Sequence, residues 1–564
     1  MKVTIGSFGG IIPRLSPHAL GNTNASIADS VKLRNGRLEA WRKPCEFPVD
    51  NPISGAMSFH LHGCCPVLWA EQGVTVAEIH PDWGRFYITG RTNRLETVLV
   101  DSTTCAATTY YTGVPSPSAA PFVSATEECS RIADSRSYVY TYVNLWGEES
   151  APSPASSVIR VNDGSPVRVS GIELPPEGYG IVGANVYRAT TGYQHADGKL
   201  QKPLTDFLFV AYVQFPAVSF SDTVKLVALG PALETQKTRV PPVGLQNVCK
   251  ISDKIRLAGT TTNMVHFSEP FQLHNWPVQY DLTLRSNIVH MRCVSGYLIV
   301  TTDTNPYVID ARNMDLSKPV PVSAVDMQLP DIACVSSSSA IATPFGLVYS
   351  SPLGATLVDT QGRWRILTAD WFSEDDWHHV RPETARFAFW EGYLFITTDI
   401  ITLLLDINGD PFGDMRGAEL VTLNRYMGDS MPVMYETSGT GDCLYLQKGV
   451  IQVWNKDAEY APFFWRSREL TGDNDAGGAG NNADRTAPQG NLWSPTSAKI
   501  QSALTEFTLL SDGKILYHRN VAGSKPFRLP RMGRHRAFNI QLEGTEPIEY
   551  ADMGTSYFTV NAGV

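Results

Sequence analysis

Apolar residues along the 564-residue chain come in short runs separated by turn-forming residues. Apolar positions at i, i+3, i+4 and i+7, the spacing of an amphipathic helix, are scarce. Gly, Pro, Asn and Asp bound most of the runs, as they do at the ends of strands. In Ala537–Glu543, Phe538, Ile540 and Leu542 alternate with polar residues, which is typical of a strand with one buried face. The pattern predicts an all-β protein.

The most informative pattern is an internal repeat. Each copy has a strand, a short polar turn, a second strand and a closing polar residue. The copies are Gly296–Asp310, Gly346–Asp359, Gly392–Asp406, Asp442–Asn455 and, more loosely, Ser252–Ser268. Their starts are 44 to 50 residues apart, a period typical of β-propeller blades. With Gly63–His80 interpreted as a further hairpin, we expect a β-propeller of about six blades. Ordinary hairpins in a β-sandwich are the alternative.

Shifts in composition divide the chain further. Ser137–Asn144, followed by Gly147–Ser153, resembles the start of a fibronectin type III-like sandwich. The run Thr471–Thr486, rich in Gly, Asn and Asp, predicts a flexible loop before a C-terminal β module. The expected domains are an N-terminal arm and first strand (1–45), the first propeller blade or blades (46–125), an inserted sandwich (126–240), the main propeller blades (241–460), and a linker loop with the C-terminal β module (461–564).

Composition and charge narrow the class of protein. The chain has 46 Lys and Arg against 56 Asp and Glu, a formal net charge of −10, and 43% of its residues are hydrophobic. This content excludes a disordered chain. The acidic balance argues against a protein that binds nucleic acid over its whole surface. Arg outnumbers Lys by 31 to 15, a bias that is typical of assembly interfaces, where Arg is enriched.

Targeting signals and cysteines set expectations about the compartment. No segment has the pattern of a signal peptide or of a transmembrane helix, so we expect no membrane insertion. The nine cysteines are spread along the chain rather than packed into a small disulfide-rich domain. We therefore expect reduced thiols and synthesis in a cytoplasm.

One candidate zinc site lies early in the chain. In a strand, His60, His62 and Cys64 share one face, about 6.6 Å apart. A zinc ion can use three such ligands, but no second cluster accompanies them. The same face could equally pack inside a blade.

A candidate calcium site has the spacing Asp406, Asn408, Asp410, like the first half of a calcium-binding loop. Pro411 then occupies the position that needs Gly. A polar turn between strands has the same residues, because Asp, Asn and Gly are turn formers.

No catalytic motif stands out. The chain has no G-x-S-x-G, P-loop or H-E-x-x-H pattern. Asp359–Trp364 is similar to a sialidase Asp box, but its spacing from Asp to Gly is one residue too long. Paired carboxylates at Glu374–Asp376, before His378 and His379, could serve glycoside chemistry. A solvated loop between blades is the expected interpretation. We expect no enzymatic activity and no cofactor.

One segment is basic in this acidic chain. It holds Lys514, Arg519, Lys525, Arg528, Arg531, Arg534 and Arg536, with no Asp or Glu among them. Such a patch could contact DNA phosphates, a bacterial surface polyanion or an acidic partner subunit. A solvated face of a sandwich is the alternative.

The start of the chain resembles a group of bacteriophage structural proteins. Phe8–Leu15 (FGGIIPRL) matches their opening, and Leu33–Pro44 matches a continuation that ends in W-R-x-P. Val265–Pro277 (VHFSEPFQLHNWP) is similar to their blade motif. Pro526–Pro530 and Arg536–Gly544 agree with their ending. Each motif is weak alone, but their shared order along most of the chain makes coincidence an unsatisfactory explanation.

The resemblance implies a virion tail component, most similar to the tail nozzle, or tail tubular protein B, of short-tailed phages. It implies a homo-oligomer in a hexameric ring, below a tail adaptor protein and carrying tail fibres or spikes. Double-stranded DNA would pass transiently through the ring, and an acidic lining would let it slide. The alternatives are a receptor-binding or fibre-docking tail protein and a glycan-degrading propeller enzyme of the virion.

Overall fold

The protein is described by a computed structural model that covers residues 2–47, 58–62, 65–69, 73–80, 84–125, 134–191, 204–251, 255–312, 320–321, 332–407, 409–413, 415, 417–428, 433–436, 441–471 and 492–561. These residues form 45 strands and three short α-helices. The predicted all-β class is confirmed.

The first strands divide between several sheets. They are β1 (Lys2–Ile5), β2 (Ala25–Asp29), β3 (Val31–Lys32), β4 (Glu39–Ala40), β5 (Cys45–Glu46), β6 (Ser58–His62) and β7 (Cys65–Trp69). Strands β3 and β4 form one hairpin, and β6 and β7 form another. Next come β8 (Thr75–Glu78), β9 (Arg85–Thr89), β10 (Glu96–Val100) and β11 (Ala107–Tyr111), a four-stranded antiparallel sheet.

Two sequence-based expectations fail in this region. The hairpin predicted over Gly63–His80 is wrong, because β7 pairs with β6 and β8 pairs with β9. The expectation of reduced thiols is wrong for Cys65 and Cys105, which form a disulfide with a Cα–Cα distance of 5.1 Å. The two cysteines are 40 residues apart. The disulfide depends on a tertiary contact that local pattern does not encode. The hairpin error is local, because the pattern joined β7 to β8, whereas each of them pairs with its other neighbour in the chain.

Seven strands then form two facing sheets. They are β12 (Phe122–Ala125), β13 (Asp134–Asn144), β14 (Ile159–Val161), β15 (Val167–Ser170), β16 (Ile181–Thr191), β17 (Leu204–Gln214) and β18 (Ser219–Asp222). The sheet orders are β12-β15-β18 and β14-β13-β16-β17. Tyr138, Tyr140 and Tyr142 alternate along β13 and lie in the core between the sheets with Val167 and Val186. The period-2 aromatic pattern therefore supplies one wall of a β-sandwich.

The middle of the chain forms successive four-stranded sheets. Their strands are β19 (Gln246–Ile251), β20 (Arg256–Thr260), β21 (Met264–Phe267), β22 (Leu282–Thr283), β23 (Ile288–Val294), β24 (Tyr297–Thr302), β25 (Tyr307–Asp310), β26 (Val320–Pro321), β27 (Ile341–Thr343), β28 (Gly346–Ser351), β29 (Gly354–Val358), β30 (Trp364–Ile366), β31 (Arg386–Trp390), β32 (Tyr393–Thr397), β33 (Thr402–Asp406), β34 (Leu420–Thr422), β35 (Val433–Glu436), β36 (Cys443–Gln447) and β37 (Val450–Val453). Each group of four pairs in chain order, and β5 from the N-terminal region completes the last group.

These sheets follow one another around a ring. The first strand of each sheet contacts the first strand of the next, from β8 through β19, β23, β27 and β31 to β35. The hairpin of β6 and β7 packs on both ends of the series: Leu61 joins the core of the last sheet, and Trp69 joins the core of β8–β11. Up-and-down sheets repeated in this way form a β-propeller. The propeller class is confirmed, whereas the number of about six blades and the fibronectin type III-like identity of the insert stay predictions.

The C-terminal strands form a second sandwich with the N-terminal ones. They are β38 (Phe463–Ser467), β39 (Leu470–Thr471), β40 (Ser497–Ile500), β41 (Ser502–Ser511), β42 (Lys514–Gly523), β43 (Phe527–Arg528), β44 (Ala537–Gly544) and β45 (Ala551–Gly554). One sheet has the order β1-β45-β40-β43, and the other runs β31-β32-β33-β34-β2-β38-β44-β41-β42 with β39 beside β44. Strand β2 therefore joins a propeller sheet to the C-terminal sandwich.

Helices contribute little to the fold. The α-helices are α1 (Glu374–His379), α2 (Asn424–Met427) and α3 (Tyr557–Asn561), and short 3-10 helices occur at Leu226–Ala228, Thr235–Lys237, Val278–Tyr280, Ser337–Ser339 and Pro382–Thr384. Within the described residues, no helix is both long and apolar enough to span a membrane.

Candidate interaction surface

The seven predicted basic residues lie at the C-terminal sandwich, and we refer to them as the basic segment. They are Lys514, Arg519, Lys525, Arg528, Arg531, Arg534 and Arg536. The first two are on β42, the fourth is on β43, and the last three precede β44. The guanidinium of Arg519 lies 5.3 Å from the ring centre of Phe527, which brings β42 and β43 together. Among the described residues, no hydrogen bond, ion pair or cation–ring contact joins the last three arginines to β42.

All seven side chains are exposed. None forms an ion pair with another residue in the described part of the chain, in contrast to arginines elsewhere. Arg188 lies buried 2.8 Å from the Asp222 carboxylate, and Arg85 lies 2.8 Å from Glu148. Among the described residues, no carboxylate neutralises the positive charge of the basic segment.

The candidate zinc residues that the structure describes face a carboxylate. His60 Nε2 lies 3.7 Å and His62 Nδ1 lies 3.5 Å from the carboxylate of Glu78. Hydrogen bonding to His60, with a smaller contribution from His62, lowers the pKa of Glu78. Both imidazoles also pack edge-on against Phe86. Cys64 lies outside the described residues, within which no group of three such ligands is arranged to hold a metal ion.

The candidate calcium residues have structural partners. Asp406 is buried and accepts hydrogen bonds from Arg34 at 3.1 and 2.9 Å. Asp410 Oδ1 accepts a hydrogen bond of 3.0 Å from the backbone N–H of Phe412, which closes a turn. Asn408 lies outside the described residues. The two carboxylates that the structure describes thus serve an ion pair and a turn.

The paired carboxylates at Glu374–Asp376 begin helix α1 instead of lying in the predicted loop. The Ser373 side chain and Asp376 form a capping box at its N-terminus, and His379 Nδ1 lies 2.6 Å from the backbone oxygen of Asp375. Acidic side chains stabilise the positive end of a helix. The sequence pattern missed α1 because six residues are too few to show helical periodicity.

Sequence reasoning treated the glycines near the N-terminus only as a motif, whereas the structure gives them contacts. The Phe8 ring packs 4.9 Å from that of Trp465, whose Nε1 donates a 3.0 Å hydrogen bond to the Gly9 oxygen. The Gly10 N–H donates to the carboxylate of Glu419. Burial raises the pKa of Glu419 to about 6. In the sequence, the pair of glycines was the only sign that this segment packs closely against other parts of the fold.

A polar cavity of about 420 Å³ opens beside β31. It is lined by Ser336, Ser338, Glu383, Thr384, Arg386, Thr397, Thr398 and Asp399. Arg381 pairs with both of its carboxylates. The lining thus consists of hydroxyl side chains, two carboxylates and the guanidinium of Arg386.

Comparisons with known proteins give similarity of structure only. No family model matches the chain, and no curated protein matches it. Solved structures similar to it include Hsv2 of Kluyvelomyces marxianus (9% identity, TM-score 0.26, covering 55% of this chain and 90% of that one). Sqt1 of Saccharomyces cerevisiae has 10% identity and a TM-score of 0.29, covering 76% and 99% of the two chains. The extracellular domain of the putative hybrid two-component system BT4673 from B. thetaiotaomicron has 9% identity and a TM-score of 0.25, covering 71% of this chain and 47% of that one. At these values the similarities carry no statement about function.

Proposed function

We propose that this chain is a structural subunit of a bacteriophage tail. Copies of it form a ring, a nozzle that extends the channel for DNA ejection below the tail adaptor. Tail fibres or spikes dock on its sides, and its location is the tail of the virion. The protein carries out no chemistry in this role. Its task is to be rigid and to bind its neighbours.

The position of the family-like motif residues in the fold carries the proposal. Phe8 and Gly9 contact Trp465 of the C-terminal sandwich, and Trp41 packs against Trp454 at 5.4 Å between ring centres. Trp276, in the blade-like motif, is buried. The residues that this chain shares with the phage proteins therefore hold separate parts of the fold together. Similarity at such residues supports a shared architecture better than similarity in surface loops does.

The architecture also supports an assembly role. Closed propeller sheets leave only short edges, which suits a subunit that must meet neighbours in a defined way. The basic segment is exposed beside a chain that is acidic overall. Unequal charge on different faces favours head-to-tail contacts, and contacts of this type generate rings when the rotation closes.

Electron microscopy tests the proposal directly. The purified full chain is imaged alone and with the cognate adaptor, and antibodies against the chain are applied to phage particles. We expect six-fold rings and antibody label on the tail below the portal. Trimers labelled at fibre tips would favour the receptor-binding alternative. Release of sugar from host envelope by the purified chain would favour the glycan-degrading alternative. Either result contradicts the nozzle.

A further inference from the structure

Strand β42 is a long edge that is left open. It is the terminal strand of its sheet, spans ten residues and pairs only with β41 on its inner side. Within the described residues, no backbone hydrogen bond reaches its outer side. Such an edge presents unpaired N–H and C=O groups that template another strand.

The protein covers its other long edge. Strand β17, of eleven residues, ends a sheet of the inserted sandwich. The backbone of residues 230–233 runs along it, with hydrogen bonds of 2.9 Å from Phe209 to Pro231 and 2.8 Å from Leu233 to Phe207. Among the described residues, the edge of β17 is therefore capped by the chain itself, whereas nothing caps the outer edge of β42.

The side chains around β42 specify the charge of a partner. Lys514, His518 and Arg519 are exposed on the strand, and Ile515 is 67% exposed. Without the basic segment, the chain has 39 Lys and Arg against 56 Asp and Glu. The β42 edge is thus a cationic and partly apolar strip on an otherwise acidic protein.

We propose that the outer edge of β42 binds an extended, acidic segment of another protein chain by strand addition. The backbone of the partner pairs with β42, and its Asp or Glu side chains meet Lys514 and Arg519. This binding mode draws affinity from main-chain hydrogen bonds and specificity from alternate side chains. The inference does not depend on the ring proposed above.

A protein strand fits this edge better than nucleic acid does. The outer edge of β42 presents alternating backbone N–H donors and C=O acceptors, and the backbone of a second strand can hydrogen-bond to both. Phosphates only accept hydrogen bonds, so a nucleic acid backbone would leave the carbonyl oxygens of β42 without donors. The exposed Ile515 side chain also gains from an apolar neighbour, which a phosphate backbone does not supply.

The test uses the purified full chain and a ten-residue peptide of alternating Glu and Val, detected by fluorescence anisotropy. A second peptide of the same sequence carries N-methyl groups on alternate residues, which removes the hydrogen-bonding edge but keeps the charge. We expect the first peptide to bind and the N-methylated peptide to bind at least tenfold more weakly. A peptide with Lys in place of Glu should not bind.

Charge-reversal variants distinguish binding at the β42 edge from nonspecific electrostatic attraction. The double change Lys514→Glu and Arg519→Glu should weaken binding of the acidic peptide at least tenfold. The matched pair Lys237→Glu and Arg239→Glu, exposed on another module, should leave it within twofold. Equal binding of the methylated peptide, tighter binding of a 20-base-pair DNA duplex, or no binding at 1 mM peptide overturns the proposal. Self-association of the wild-type chain that the Lys514→Glu, Arg519→Glu variant abolishes also overturns it, because the occupant is then a second copy.

Discussion

The polar residues that close the strand repeats act as structural anchors. Asp310 accepts hydrogen bonds from the backbone and side chain of Arg312, and Asp359 accepts them from the backbone N–H groups of Gln361 and Arg363. Each carboxylate satisfies donors in the turn after the second strand of its repeat. The sequence located these residues correctly through their regular spacing, but only the structure shows what they bind.

Glu419 gives a residue-scale prediction about pH. Its folded pKa of about 6 lies above the ordinary value of 4.5, because burial disfavours the carboxylate. The stabilising contribution of the protonated form is therefore complete below pH 4.5 and is lost as the pH rises through 6. A shift of this size corresponds to about 2 kcal/mol. Glu419→Gln, which cannot ionise, should lack this loss between pH 4.5 and 7.

Urea unfolding at pH 4.5, 5.5 and 7.0 checks the expected pH effect. Relative to the wild type, Glu419→Gln should gain about 2 kcal/mol in apparent free energy of unfolding across this range. The exposed Glu506→Gln variant is the control and should show no such gain. A constant difference between the Glu419→Gln variant and the wild type at all three values would contradict the assignment.

Single elements were predicted well where their partner is the next element along the chain. The repeats Gly296–Asp310 and Gly392–Asp406 are the hairpins β24–β25 and β32–β33. At Gly63–His80 the wrong neighbours were joined, because β7 pairs with the strand before it and β8 with the strand after it. Nothing in the sequence indicated that β2 lies between β34 and β38. Such contacts span hundreds of residues and leave no local periodicity.

Gly10 tests how tightly the segment before β2 approaches β34. A Cβ atom at this position would lie 2.2 Å from the Leu420 oxygen, a backbone atom that cannot move aside alone. Gly10→Ala should therefore reduce the apparent free energy of unfolding by about 1–3 kcal/mol, as overpacking does. A Cβ at Gly6 would meet nothing within 4 Å, so Gly6→Ala should change it by less than about 0.5 kcal/mol. Equal urea midpoints for the two variants would exclude the close contact.

At the scale of the whole molecule, one cluster docks the inserted sandwich onto the propeller. Arg85, on β9, donates a 2.8 Å hydrogen bond to Glu148 of the sandwich, and its guanidinium lies 4.3 Å from the ring centre of Trp146. His274 Nδ1 lies 3.8 Å from the same carboxylate, and burial lowers the pKa of His274. Both members of the Arg85–Glu148 pair are less than 17% exposed.

Removing the positive charge of Arg85 should weaken the contact between the inserted sandwich and the propeller. Arg85→Ala leaves Glu148 largely buried without its strong partner, a change that typically costs about 3–5 kcal/mol when burial is complete. We expect a lower melting temperature and faster proteolytic cleavage between the sandwich and the propeller. Arg312→Ala, which breaks an exposed pair with Asp310, is the control and should lower the melting temperature much less than Arg85→Ala does. Identical cleavage rates for the two variants would show that the cluster does not hold the modules together.

The sequence by itself determined the β class, the propeller repeat and the position of the basic segment. These follow from local periodicity and composition, which each stretch of chain carries within itself. Tertiary structure alone decided that Cys65 meets Cys105, that β5 completes the last propeller sheet, and that β42 is the terminal strand of its sheet. Which strand ends a sheet, and which strand completes one, depends on the pairing of strands that are far apart in the sequence. That choice reflects burial and hydrogen bonding summed over the whole fold, which no local pattern records.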